Sequence, residues 1–79
     1  PNPVKNIGKI AFKAPQSGET SVELYNINGQ KVGDFFKGNS KKGDDVNIEY
    51  DSSILKNGLY FAIIKNGSYV HRHKISVSY

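Results

Sequence analysis

At 79 residues the chain has room for one small domain, and a chain of this size buries only about 60% of the surface its unfolded form exposes, so its core is small. Hydrophobic residues at 37% and charged residues at 23% describe a globular sequence, and the absence of cysteine excludes both a disulfide framework and a thiolate metal site. The net charge of +4 comes from lysines scattered along the chain, without a basic cluster interleaved with base-stacking aromatics, and no apolar run nears the roughly 20 residues of a membrane-spanning helix, so neither nucleic-acid binding nor membrane insertion is expected.

Pro1 is followed by Asn, Pro and Lys rather than by an apolar core, so the first residues do not read as a secretory leader, and residues 1–79 read as the last domain of a larger protein. Helical periodicity is missing, and alternation with a period of two takes its place. In Lys9–Lys13, Ile10 and Phe12 share a face; Pro15 to Gly18 is a turn; Val22 and Leu24 then share the next strand face. Asn28-Gly29 signals a tight turn before Val32, and the Gly/Ser/Asn-rich stretch from Gly38 to Asp44 reads as a loop. Val46, Ile48 and Tyr50 point inward from a strand whose Asn47 and Glu49 point out.

Asp51 to Leu55 predicts one helical turn, capped by the Ser52 and Ser53 hydroxyls, with Leu55 in the core. Asn57-Gly58 opens the run Leu59-Tyr60-Phe61-Ala62-Ile63-Ile64, which is short, β-branched and aromatic, and so reads as a strand buried on both faces. Asn66-Gly67 is a second hairpin signal, both Asn and Gly suiting positive φ. In the last strand Ile75 and Val77 share a face with His71 and His73, which leaves either a bulge near Arg72 or a strand that protrudes. Six or seven strands in this length predict an all-β fold, a small antiparallel immunoglobulin-like β-sandwich. Its expected core is Ile10, Phe12, Val22, Leu24, Val32, Val46, Ile48, Leu55, Tyr60, Ala62 and Ile64.

Catalysis is hard to assemble from these residues. The two histidines are His71 and His73, and no nucleophile-elbow motif surrounds Ser17, Ser40, Ser52 or Ser53. His71 and His73 supply at most two ligands where zinc needs a third or fourth, and Asp44, Asp45 and Asp51 lack calcium-loop spacing. No catalytic, cofactor-binding or metal-binding residue is therefore expected. A carbohydrate-binding or fibronectin-like accessory module of a secreted enzyme is the alternative reading, with Tyr25 and Tyr69 as the candidate exposed rings.

The order Leu55, Asn57-Gly58, Tyr60, Asn66-Gly67 and a terminal Lys74-Ile75-Ser76-Val77 resembles the type A C-terminal sorting domain of the type IX secretion system. Pro1-Asn2-Pro3, the strand with Ile10 and Phe12 before Pro15 and Gly18, and Val22 through Val32 with Gly29-Gln30 are similar to that family's earlier motifs. The chain has Asn26 where Asp is frequent and Gln30 where Arg is frequent, and it lacks a basic residue at Tyr79. The resemblance implies a monomeric, non-enzymatic domain that is covalently part of a larger cargo. It implies recognition by the type IX translocon after passage through the periplasm, and removal by a surface sortase at a position before Pro1 or in the first residues. The cargo would end secreted or on the cell surface at the outer membrane. The family's motif falls on Gly58, Tyr60, Lys74, Ile75 and Val77, which become the candidate translocon-recognition residues.

Overall fold

The computed structural model describes residues 7–78, so the Asn-Pro opening at Pro1-Asn2-Pro3, the cleavage position and Tyr79 lie outside the described residues. Six strands run β1 (Ile7–Lys13), β2 (Gly18–Asn26), β3 (Lys31–Ser40), β4 (Asp45–Asp51), β5 (Gly58–Asn66) and β6 (Tyr69–Val77). They form two antiparallel sheets, β1-β4 and β3-β2-β5-β6, in the small β-sandwich the alternation predicts. Tight hairpins join β2 to β3 and β5 to β6, and the other three connections cross between the sheets.

The core lies between the sheets. Ile10, Val46 and Ile48 come from the two-stranded sheet; Val22, Leu24, Tyr60, Ala62, Ile64, Ile75 and Val77 come from the four-stranded one. Alternation is strict where both partners are regular: in β4, Val46 and Ile48 are buried while Asn47 and Glu49 are exposed. Cross-strand ion pairs Lys9–Glu49 and Lys13–Asp45 line the wet face of this sheet.

Three expectations about the strands need correction. Val32 is 44% exposed, because the β2–β3 register shifts between Leu24 and Tyr25 and leaves Val32 outside the ladder. A second shift between Val22 and Glu23 does the reverse for Phe35 and Phe36. Adjacent residues on a regular strand would face opposite ways, yet both rings pack against the core, and Phe35 stacks on Tyr50 at 4.8 Å. Gly38, Asn39 and Ser40 belong to β3, paired with Thr20, Glu19 and Gly18, so the predicted loop shrinks to the four residues before Asp45. Strand β5 is buried on one face only: Tyr60, Ala62 and Ile64 are buried, whereas Leu59, Phe61 and Ile63 are half-covered, because among the described residues no second sheet packs on that side.

The helical turn is a 3-10 turn at Ser52–Ile54, and its cap is the Asp51 carboxylate, which accepts from the Ser53 backbone N–H and from the Ser53 hydroxyl. Ser53 is thus a donor to the cap rather than the cap itself. Leu55 borders the core as a partly buried neighbour.

Asn66 behaves as no turn residue. It is the last residue of β5, fully buried, and the two-residue hairpin that follows consists of Gly67 at φ 59° and Ser68. Asn66 donates from Nδ2 to Thr20 Oγ1 at 2.8 Å and accepts at Oδ1 from the Gln16 backbone N–H at 2.9 Å. Gly67 N–H donates to the Glu19 carbonyl, and a side chain on Gly67 would collide with the Gln16 side chain. Among the described residues no asparagine adopts positive φ, so at this hairpin the glycine alone supplies that conformation.

Truncating Leu24, which is fully buried, to Ala should cost about 2–5 kcal/mol, while Val32→Ala should stay within about 0.5 kcal/mol, both measured by urea denaturation. Asn66→Ala should cost about 1–3 kcal/mol beyond its lost volume, because Thr20 Oγ1 and the Gln16 N–H lose their partner in a dry site.

Candidate functional site

All five candidate residues fall at one end of the β5–β6 hairpin. The register pairs Gly58 with Val77, Tyr60 with Ile75 and Phe61 with Lys74. Tyr60, Ile75 and Val77 point into the core and are buried, and the Tyr60 hydroxyl donates to the Lys56 carbonyl at 2.7 Å, tying the strand to the segment that leads into it. Gly58 is exposed at φ 152°, a conformation that disfavours any side chain although nothing stands within 4 Å of where one would go. Lys74 lies on the opposite, outer face, exposed, with no ion pair among the described residues.

Along the outer face, Tyr25, Phe61 and Lys74 form one cross-strand row and Glu23, Ile63 and Arg72 the next. The Arg72 guanidinium sits over the Phe61 ring, 5.6 Å from its centroid. Tyr25, Ile27, Phe61, Ile63 and Arg72 line a shallow groove of about 380 Å³. The β2–β3 turn closes one side of it. Asn26 Oδ1 accepts from the Asn28 and Gln30 backbone N–H groups at 2.9 and 3.0 Å, and Asn26 Nδ2 donates to Gln30 Oε1 at 3.0 Å. The two departures at Asn26 and Gln30 are therefore partners of each other, a neutral amide pair spanning the turn. Sequence reasoning did not single out Phe61, Ile63 or Arg72; the signal it had was the apolar alternate set Leu59, Phe61, Ile63, which two-sided burial seemed to explain.

Next to the groove lies an ionic cluster. Lys31 Nζ meets Glu23 Oε2 at 3.0 Å and Asp34 Oδ1 at 2.6 Å, while Lys65 stands 3.8 Å from the other Glu23 oxygen, which also accepts from the Tyr25 hydroxyl. The hydrogen bond from Lys31 holds the Glu23 carboxyl below its ordinary value against the opposing effect of its desolvation, and Asp34 with Glu23 holds the Lys31 ammonium above its own.

The histidines lie on the same face as Ile75 and Val77, in an unbroken β5–β6 register with no bulge near Arg72. They are exposed because only the Ile75–Val77 end of β6 reaches residues of the two-stranded sheet, around Ile7, Gly8 and Tyr50. The strand protrudes beyond its cover, not beyond its partner. Among the described residues neither histidine side chain makes a hydrogen bond, so no Ser–His pair forms, and no group of three metal-ligating side chains occurs. Asp44 accepts from the Lys41 N–H and Asp45 pairs with Lys13. Tyr25 lies on the outer face and Tyr69, which pairs with the inward-facing Asn66, on the other, so they cannot form one sugar-stacking platform.

The family described as the secretion system C-terminal sorting domain matches residues 1–78. The chain belongs to this family. It is a type IX secretion sorting domain, and the family is one of sorting signals rather than catalysts, whose members are exported to the cell surface or beyond as part of larger cargo proteins. No curated protein and no solved structure matches the chain.

The ionic cluster gives the sorting domain an acid-labile component. Glu23 is depressed on folding, so its contribution is present above the unfolded carboxylate value near 4.3 and is lost as pH falls through the folded one. The elevated Lys31 contributes below the usual lysine range and loses that contribution only as pH rises above it. Denaturation midpoints between about pH 6 and pH 3 should therefore fall more steeply for the wild type than for Glu23→Gln.

Proposed function

We propose that the domain, spanning residues 1–79 as the last domain of a larger cargo, is recognised in its folded state by the type IX translocon through the end of the β5–β6 hairpin. The family match over residues 1–78 carries this reading. In it Gly58, Tyr60, Lys74, Ile75 and Val77 make up the label, but in different ways. Tyr60, Ile75 and Val77 anchor β6 to the core, Gly58 sets the entry into β5, and Lys74 offers the charge a partner reads. The domain performs no reaction and binds no cofactor. After transit through the periplasm and across the outer membrane, a surface sortase removes it from the cargo at a position near its N-terminal end. It acts as a monomer.

Support for Lys74 comes from its place in the fold. A lysine on the outer face of an edge strand, without an ion pair among the described residues, adds nothing to the core, and its cross-strand neighbour is the half-covered Phe61. Main-chain groups of an exposed strand are also a common means of docking to another sheet.

The test is a reporter with an inner-membrane export signal fused to residues 1–79, expressed in a bacterium with a working type IX system. The fusion should reach the cell surface or the medium, and Lys74→Ala should hold it in the periplasm while changing stability by under about 0.5 kcal/mol. A wild-type fusion that stays periplasmic overturns the sorting reading for this chain. Equal export of Lys74→Ala removes Lys74 from the label and leaves the label itself standing.

A further inference from the structure

The net charge of the chain is carried entirely by its last part. Residues 52–79 hold four of the eleven Lys and Arg side chains and none of the seven Asp and Glu, while the seven basic and seven acidic residues before them cancel. Within that part, His71, Arg72, His73 and Lys74 are consecutive and all exposed on β6, the outermost strand of the four-stranded sheet. The other open edges are largely compensated. The β1–β4 sheet pairs Lys9 with Glu49 and Lys13 with Asp45, and β3 carries Lys31 paired with Asp34, which leaves Lys37 as its one cation without an ion pair among the described residues, against the two exposed cations Arg72 and Lys74 of β6.

The ladder fixes which groups of β6 face the open side. Gly67 N–H is given to Glu19 of β2, so odd-numbered residues of β5 bond toward β2 and even-numbered ones toward β6. On β6 this leaves the main-chain N–H and C=O groups of Val70, Arg72, Lys74 and Ser76 directed to the edge, where no strand pairs among the described residues. The same four residues have their side chains on the outer face, since Arg72 stands opposite Ile63 and Lys74 opposite Phe61.

From these observations we infer that β6 takes an extended acidic strand of a partner protein as a fifth strand of the sheet, with carboxylates at alternate positions opposite Arg72 and Lys74. The inference rests on the sorting reading and names the chemistry of the surface the translocon would offer. A second copy of β6 would set cations against cations, so the edge discriminates against self-pairing while leaving an acidic strand welcome. Opposite charges directly across a strand pair attract, and the free N–H and C=O groups supply the sequence-independent part of the binding.

The probe is a short extended peptide alternating glutamate with threonine and valine, titrated into the isotopically labelled chain and followed by amide NMR. Shifts should concentrate at Val70, Arg72, Lys74 and Ser76, leave the β3 edge unmoved, and vanish for the same peptide with lysine in place of glutamate. The Lys74→Glu, Arg72→Glu double variant should weaken binding by about tenfold or more, as two attractive cross-strand pairs become repulsive. The neutral Lys74→Gln, Arg72→Gln variant, which disturbs folding less, should fall between. Any of three results overturns the inference: no binding of the acidic peptide, perturbations along β3, or equal binding of a DNA oligonucleotide or of a second copy of the chain. The same variants fused to the export reporter separate the two levels. Undiminished export of the charge-reversed fusion sinks the acidic-strand inference, and Lys74's part in the label with it, while leaving the sorting reading standing, whereas failure of the wild-type fusion sinks the sorting reading whatever the peptide does.

Discussion

A two-stranded sheet is too narrow to cover a four-stranded one, and most of what distinguishes this molecule follows from that mismatch. β1 and β4 supply three buried core residues against seven from the opposite sheet, so cover is concentrated over β2, β5 and one end of β6. The consequence for β6 is a strand with two characters. Ile75 and Val77 lie under the other sheet and are buried; Tyr69 to Lys74 share the same ladder but have water on both faces. An edge strand that is anchored at one end and bare along the rest is a poor core element and a good handle.

Where apolar cover gives out, a polar arrangement takes over. The connection from β1 to β2 folds over the end of β5, and Asn66 fills the space beneath it with an amide whose donor and acceptor are both satisfied. Gln16 extends the same contact to the hairpin, donating from Nε2 to the Ser68 hydroxyl. A buried amide costs free energy unless it is hydrogen-bonded, so this site contributes little by burial and much by specifying how the β5–β6 hairpin sits against β2. It also suits Gly67, where φ is 59° and any side chain would have to displace Gln16 from its contact with the hairpin.

Much of the fold was legible from the sequence because alternation is a direct record of one-sided burial. Ile10, Val22, Leu24, Val46, Ile48, Tyr60, Ala62 and Ile64 were all expected inside and are. The misreadings share one cause: local pattern does not report what lies across the sheet. Val32 looks like a core valine until a register shift in its pairing with β2 removes it from the ladder, and Gly38-Asn39-Ser40 looks like a loop until β2 pairs with it. Leu59, Phe61 and Ile63 are as apolar as a doubly buried strand, but all three are only half-covered, and Phe61 and Ile63 line the groove beside Arg72. Asn66-Gly67 reads as a turn, and only the Thr20 hydroxyl, distant in sequence, shows that the asparagine is interior. Of the candidate site, the pairing of Gly58, Tyr60 and Phe61 with Val77, Ile75 and Lys74 depends on a hairpin the sequence announces; the edge beside it, unpaired among the described residues, does not, because a neighbour that is not there leaves no residue to read.

The period of two also bears on how a sorting label of this kind is read. Side chains on a strand alternate between faces, so a slip of one residue in the β5–β6 register would turn Lys74 and Arg72 toward the core side and lift Ile75 and Val77 out of it. The burial of Ile75 and Val77 therefore does more than add to the core: it fixes the face on which the cations appear and the main-chain groups that meet the open edge. A short basic peptide with the same residues would have no such fixed arrangement. In the proposed recognition, then, the apolar residues of the terminal motif act by holding the register, and the charged residues act by what that register presents. Loss of function on deleting the terminal strand cannot distinguish the two roles, because it removes anchor and charge together. Only substitutions at the exposed positions, made with the anchor intact, separate a label that is read by a partner from a domain that must merely be folded.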